Sequence, residues 1–190
     1  MTIKRLRTGD RINRIKVFWI TLCVTIALLV LAPMLVAYQD GGPEPITANP
    51  LSDRTQLTDN VSFDIRLQPE GRPEQVLELD DPSRITVVEF TIQPGAIFPW
   101  HTHPGPALAG VQQGELIYIY ADDCIERPYP TGTMFIDPGG DNVHSAFNPS
   151  ETEETIVIAT ILNAPNEGGL TLPVDEAENQ RLDQKCGIQR

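Results

Sequence analysis

From about residue 61 onward, turn residues cut the chain into short apolar runs, and this spacing constrains the fold more than any other feature of the sequence. VSFDIRL (61–67) and QVLEL (75–79) come first, and RITVVEFTI (84–92) ends just before Pro94-Gly95. LAGVQQ (108–113) and ELIYIY (115–120) are split by Gly114, and TMFI (133–136) stops at Asp137-Pro138-Gly139-Gly140. VHSAF (143–147) and ETIVIATIL (154–162) close the set. β-Branched residues are dense and no long stretch has a helical period, so these runs read as strands. Many short strands at regular spacing predict an all-β sandwich or barrel, jelly rolls included. Only the tail, Asp175–Gln184, reads as a short helix. A hydrophobic content of 41% is enough for a core.

The three histidines of the chain, His101, His103 and His144, fall within 44 residues. In an extended strand, positions 101 and 103 lie on the same face. His144 sits on a later strand, after the Pro-Gly-Gly turn. Three imidazoles converging from two strands would make a facial metal site. The competing reading is three unrelated histidines, since a pair spaced by one residue often occurs without a metal.

The residues around the histidines resemble the cupin superfamily. Gly95 is followed by five residues, His101-Thr102-His103, three residues, Ala107, six residues and Gly114. Every spacing fits the first cupin motif, but Ala107 stands where the family has Glu. Gly132 leads by five residues to Pro138-Gly139-Gly140, and three residues later comes His144, with Asn148 beyond it. The second motif is thus matched with one extra residue before the histidine. The resemblance covers roughly residues 57–165 and implies a double-stranded β-helix, the cupin or jelly-roll barrel. It also implies one divalent transition metal (Fe, Zn, Ni, Cu or Mn) held by His101, His103 and His144.

Losing the Glu leaves three neutral ligands, which disfavours hard cations such as Mg²⁺. Alternation places Ala109 on the face of Ala107, and two small side chains leave room beside the metal for water or substrate. Asp141 and Glu89 are the carboxylates considered as substitutes, and both are expected to be solvated acids instead. Trp100 and Phe98 are expected to point away from the metal if their strand is regular. Tyr118, Tyr120 and Asp141 are the candidates for a general base, with core packing the alternative for the tyrosines.

Ahead of the strands, charge divides the chain. Residues 1–16 hold six basic residues and one acid, a net +5 that leaves −17 on the remainder of a chain whose total is −12. That acidic balance argues against a nucleic-acid partner. Residues 17–38 are uncharged, long enough for a transmembrane helix, and flanked by Trp19 and Tyr38. Two readings are open, an uncleaved anchor and a cleaved signal sequence. Both export the remainder to a periplasmic or extracellular location. Residues 39–56 read as a Pro/Gly-rich linker, and residues 166–190 as a C-terminal tail. Cys23 falls in the apolar span. Cys124 and Cys186 fall in the exported part, where an oxidising compartment favours a disulfide between them, against two free thiols.

The leading expectation is a membrane-anchored extracytoplasmic cupin that binds one divalent transition metal and carries out an oxygenase-type reaction on a small molecule. A non-catalytic module for a metal or small ligand is the second reading. The third is a structural subunit of an envelope membrane complex. A homodimer and a membrane-complex subunit both remain open as assembly states.

Overall fold

The structure is a computed structural model that describes residues 44–80, 82 and 84–189. The basic leader (1–16), the uncharged span (17–38) and residues 39–43 of the expected linker lie outside the described residues. Among the described residues, no helix is long and apolar enough to cross a membrane.

Two sheets face each other across one apolar core, and the chain repeatedly passes between them. The first sheet takes β1 (Ile46–Pro50), β5 (Arg84–Ile92), β12 (Thr155–Ile161), β7 (Ala107–Gln113) and β10 (Met134–Asp137), in that order, with β2 (Thr55–Gln56) also on β5. The second takes β13 (Leu172–Pro173), β6 (His101–Thr102), β11 (His144–Phe147), β8 (Glu115–Tyr120) and β9 (Glu126–Pro130). A hairpin of β3 (Phe63–Leu67) and β4 (Gln75–Leu79) forms a separate two-stranded sheet. The paired strands within each sheet are antiparallel.

Alternation explains the core. Along β12, Thr155, Val157, Ala159 and Ile161 are buried while the residues between them are half-exposed. From the opposite sheet, Leu116, Tyr118 and Tyr120 of β8 meet them, with Val88 and Ile92 of β5 and Ala107, Ala109 and Val111 of β7. Each large apolar side chain buried this way contributes about 1.5–3 kcal/mol. β8 is buried on both faces. Its Ile117 and Ile119 face a second cluster with Trp100 and Leu182, which accounts for the nearly unbroken apolar run at 115–120.

The double-stranded β-helix expected from the resemblance takes the form of two sheets, and among the described residues no ladder joins them. Gly114 is the physical reason at one corner. It has φ +74°, and a Cβ there would lie 2.6 Å from Thr155 Oγ1, so the chain pivots from β7 into β8 without pairing the two.

The expected linker is also corrected. Ile46–Pro50 pairs residue by residue with Ile92–Val88, and Thr55–Gln56 pairs with Ile85–Arg84. The nine-residue β5 offers an edge of unpaired backbone groups, which β1 satisfies. Only Ile46 of β1 packs against the core, so the segment has no alternating pattern to read. β9, sequence ERPYP, has no strand-like signal either, since its prolines suit an edge strand and Arg127 is its buried residue. That guanidinium donates to the Glu70 carbonyl and pairs with Asp123 at 2.9 Å.

The tail is part of the fold. β13 pairs with β6, and helix α1 (Glu176–Cys186) packs Leu182 against Trp100. Asp175 caps α1 by accepting the Glu178 N–H at 2.8 Å, and Gly187 ends it in the left-handed conformation. Trp100 donates its indole N–H to Asp183 Oδ1 at 2.8 Å and its backbone N–H to Asn179 Oδ1 at 2.9 Å. The expected disulfide is present, joining Cys124 to Cys186 across 62 residues of sequence.

Closing a loop of that length stabilises the domain by roughly 4 kcal/mol in the chain-entropy account. Replacing Cys124 and Cys186 together by Ser is expected to lower the unfolding free energy by about that amount, read as a shift in the urea midpoint. Thiol titration of the denatured, unreduced chain is expected to find one free thiol, Cys23, among the three cysteines.

Candidate metal centre

The three histidines come together at the inner face of the second sheet. His101 opens β6 and His144 opens β11, and the two face each other directly in the ladder. Their ring centroids are 4.2 Å apart, and His103 lies 5.0 Å from His101 and 5.2 Å from His144. All three are buried, and one ligand nitrogen from each falls within 4.8 Å of the others.

Their orientation is set by backbone carbonyls. Nδ1 of His101 lies 2.7 Å from the Pro99 carbonyl oxygen, Nδ1 of His103 lies 2.8 Å from that of Leu170, and Nδ1 of His144 lies 3.1 Å from that of Asn142. A carbonyl oxygen only accepts, so each Nδ1 carries a hydrogen, and a ring in its neutral form then has its lone pair on Nε2. This is the arrangement by which outer groups fix a metal-ligating histidine. Three buried lone pairs pointing at one another repel unless a cation lies between them. The cluster therefore fits a divalent transition metal, and imidazole donors suit Zn, Cu, Fe or Ni.

One carboxylate beside the histidines escaped the sequence reading. Asp137, the last residue of β10, is 3% exposed, and its Oδ2 lies 3.0 Å from His144 Nε2 and 3.4 Å from His103 Nε2. Its Oδ1 accepts the N–H of Gly139 at 2.7 Å. The substitutes considered, Asp141 and Glu89, are not in the cluster, and Asp141 is exposed. The available signal was the Asp-Pro-Gly-Gly turn, which a sequence reader assigns to turn formation alone.

The turn after Asp137 is pressed against the loop after His103. Gly140 donates its N–H to the His103 carbonyl at 2.9 Å, and Thr102 donates its hydroxyl to the Gly140 carbonyl at 2.7 Å. Gly139 has φ +65°, and a Cβ on it would lie 2.3 Å from the Gly105 carbonyl oxygen.

A cavity of about 60 Å³ opens from the cluster into the core. Ala107 and Ala109 line it, as the alternation predicts, together with Phe90, Phe98, Phe135 and Ile161. Phe98 is therefore a correction. Its ring sits 5.6 Å from that of His101 and faces the site, because β6 begins only at His101 and Pro99 interrupts any regular strand before it. Trp100 points away from the site, as expected, and is fully buried against α1. Tyr118 stacks on His144, with centroids 4.7 Å apart and rings 19° from parallel. Its buried hydroxyl lies near Asp137 and Tyr120 but makes no hydrogen bond of ordinary geometry.

The electrostatics follow from burial and crowding. Burial, with His144 and His103 adding to it, pushes the His101 imidazole down to about 3. Burial also lowers His103, against the favourable field of Asp137. For Asp137, burial alone would raise the carboxyl. His144, His103 and the Gly139 N–H outweigh it and hold the group at about 2. Burial beside Asp137 and Tyr120 pushes the Tyr118 phenol well above its usual 10.

Residues 88–161, from β5 to the end of β12, match the sequence model of the family described as "Cupin domain". No curated protein sequence matches the chain. KdgF from Halomonas sp. aligns with 67% of this chain and 86% of its own, at 16% identity and a TM-score of 0.43. An uncharacterized conserved protein with a double-stranded β-helix domain from Klebsiella pneumoniae aligns with 48% of this chain and 76% of its own, at 27% identity and a TM-score of 0.39. A cupin-like protein from Thermotoga maritima aligns with 52% of this chain and 72% of its own, at 23% identity and a TM-score of 0.41. The cupin resemblance read from the motif spacing is supported by the family match, which spans all three histidines and Asp137.

Two outcomes are expected. Gly139→Ala forces a left-handed backbone and a backbone clash at once, so it is expected to cost at least about 2 kcal/mol in urea unfolding. In chelator, stability is expected to fall as pH drops from about 6.5 towards 3. The unfolded chain protonates His101 near pH 6.5 while the folded chain resists until about 3, so the unfolded state binds more protons in that window. Asp137 adds a loss in the same direction as pH falls from 3.8 to about 2. Chemical unfolding midpoints across pH 2–7 check both contributions.

Proposed function

We propose that the chain is a membrane-anchored, extracytoplasmic cupin that binds one divalent transition metal through His101, His103 and His144 and acts on a small, largely apolar molecule in an oxygenase-type reaction. The observation that carries the metal reading is the convergence of three buried imidazoles, each held by a carbonyl at Nδ1. Export is supported by the uncharged span at 17–38 with its basic flank, and by the Cys124–Cys186 bond, which suits an oxidising compartment.

A redox-active metal held there supplies Lewis acidity and electrons for dioxygen chemistry. The protein supplies the rest. Phe90, Phe98, Phe135 and Ile161 line the cavity with apolar surface, excluding bulk water and favouring an apolar body on the substrate. Ala107 and Ala109 leave space on the β7 side. The Tyr118 phenol keeps its proton at neutral pH and has no ordinary hydrogen-bond partner, so it can donate to an oxygen of the bound molecule.

Elemental analysis of the full chain in detergent, purified without chelator, is expected to find about one transition metal per chain. His101→Ala and His144→Ala are expected to lose it while keeping the wild-type circular dichroism. A metal-free wild type would overturn the metal reading. Dioxygen uptake over a panel of small apolar molecules bearing two chelating oxygens tests the enzymatic part. Ligand binding without uptake would assign the chain to the non-catalytic class instead.

A further inference from the structure

We propose that Asp137 is a fourth protein ligand of the metal, so that a carboxylate from β10 replaces the Glu missing at position 107 on β7. The inference rests on the metal reading above and deepens it.

Three observations converge. First, Asp137 pairs directly with Ala107 in the antiparallel register of β10 on β7. The two positions are neighbours across the ladder, so a carboxylate lost from one strand is regained from the adjoining strand at the same level of the sheet. Second, Asp137 is almost fully buried, and among the described residues its ion-pair partners are His103 and His144 alone. No Lys or Arg side chain is paired with it among those residues. In the neutral rings the Nε2 atoms it faces carry lone pairs, because each Nδ1 holds the hydrogen for its carbonyl. A carboxylate oxygen 3.0 Å from one such nitrogen and 3.4 Å from another calls for a positive charge between them, which a ring proton or a bound metal ion supplies. Third, the distances to two of the three histidines, His103 and His144, suit a shared ion. Two ligand atoms each ~2.1 Å from one metal, at 90° to 109° to each other, are about 3.0 to 3.4 Å apart. Both spacings of Asp137 Oδ2 fall on those values. The hydrogen bond from Gly139 to Oδ1 leaves Oδ2 free to point at the cluster.

A carboxylate in the ligand set changes the chemistry. Three neutral donors leave a divalent ion with its full charge, whereas Asp137 halves it and brings Mn within the site's range.

The test uses the full chain in detergent, stripped and reloaded with Co(II). Asp137→Asn, nearly isosteric, is expected to weaken Co(II) binding by at least about 100-fold, the upper end of what outer-shell changes cost. It is also expected to shift the ligand-field absorption of any Co(II) still bound. Asp137→Ala combined with Ala107→Glu is expected to recover most of the lost affinity, because the carboxylate returns to the other side of the same ladder pair. Infrared difference spectra of the wild type, with aspartate labelled by carbon-13, supply a readout independent of any variant. Zn(II) loading is expected to shift a labelled carboxylate band. Wild-type Co(II) affinity and spectrum in Asp137→Asn, or no labelled shift on loading, would overturn the inference while leaving the three-histidine site standing. A wild type that binds no Co(II) would overturn both.

Discussion

Three backbone carbonyls decide what this protein can do. Pro99, Leu170 and Asn142 each take the Nδ1 hydrogen of one histidine, and in doing so turn three lone pairs to a common point. Without those bonds the rings would be free to present an N–H inward, and the cluster would be a set of neutral buried aromatics rather than a ligand set. The carbonyls come from three separate parts of the chain, so their agreement depends on the whole domain being in register.

The two-sheet arrangement secures that agreement. β6 and β11 pair so that His101 and His144 face one another. The turn at 138–140 is tied to residues 102 and 103 by backbone and hydroxyl bonds, which locks the end of β10 beside the same pair. Val157, Ala159 and Ile161 of β12 line the cavity, so two of the three histidines sit on strands backed by a packed core. The small residues at 107 and 109 keep the space open that larger ones would fill.

Much of this was legible in one dimension. Short runs between turn residues mark most of the long strands to within a residue or two, and the spacing of His101, His103 and His144 marks the site. What was not legible has physical reasons. β1 carries one core-facing side chain, Ile46, so pairing with β5 leaves no periodic trace. β9 contributes a buried arginine and two prolines, the opposite of a strand-like composition. Phe98 faces the cavity because Pro99 breaks the alternation that would have turned it outward. Asp137 lies thirty residues from Ala107 in sequence, and their adjacency is a matter of register between strands, which local pattern does not encode.

The carbonyl that orients His103 belongs to Leu170, in the stretch that leads to β13 and the disulfide-bonded helix. The ligand set thus draws one orienting group from a segment that follows all three histidines in the sequence. A ribosome building this protein delivers the donors first and the group that aims one of them last. A chain truncated before residue 170 would carry all three histidines while lacking the carbonyl that orients His103.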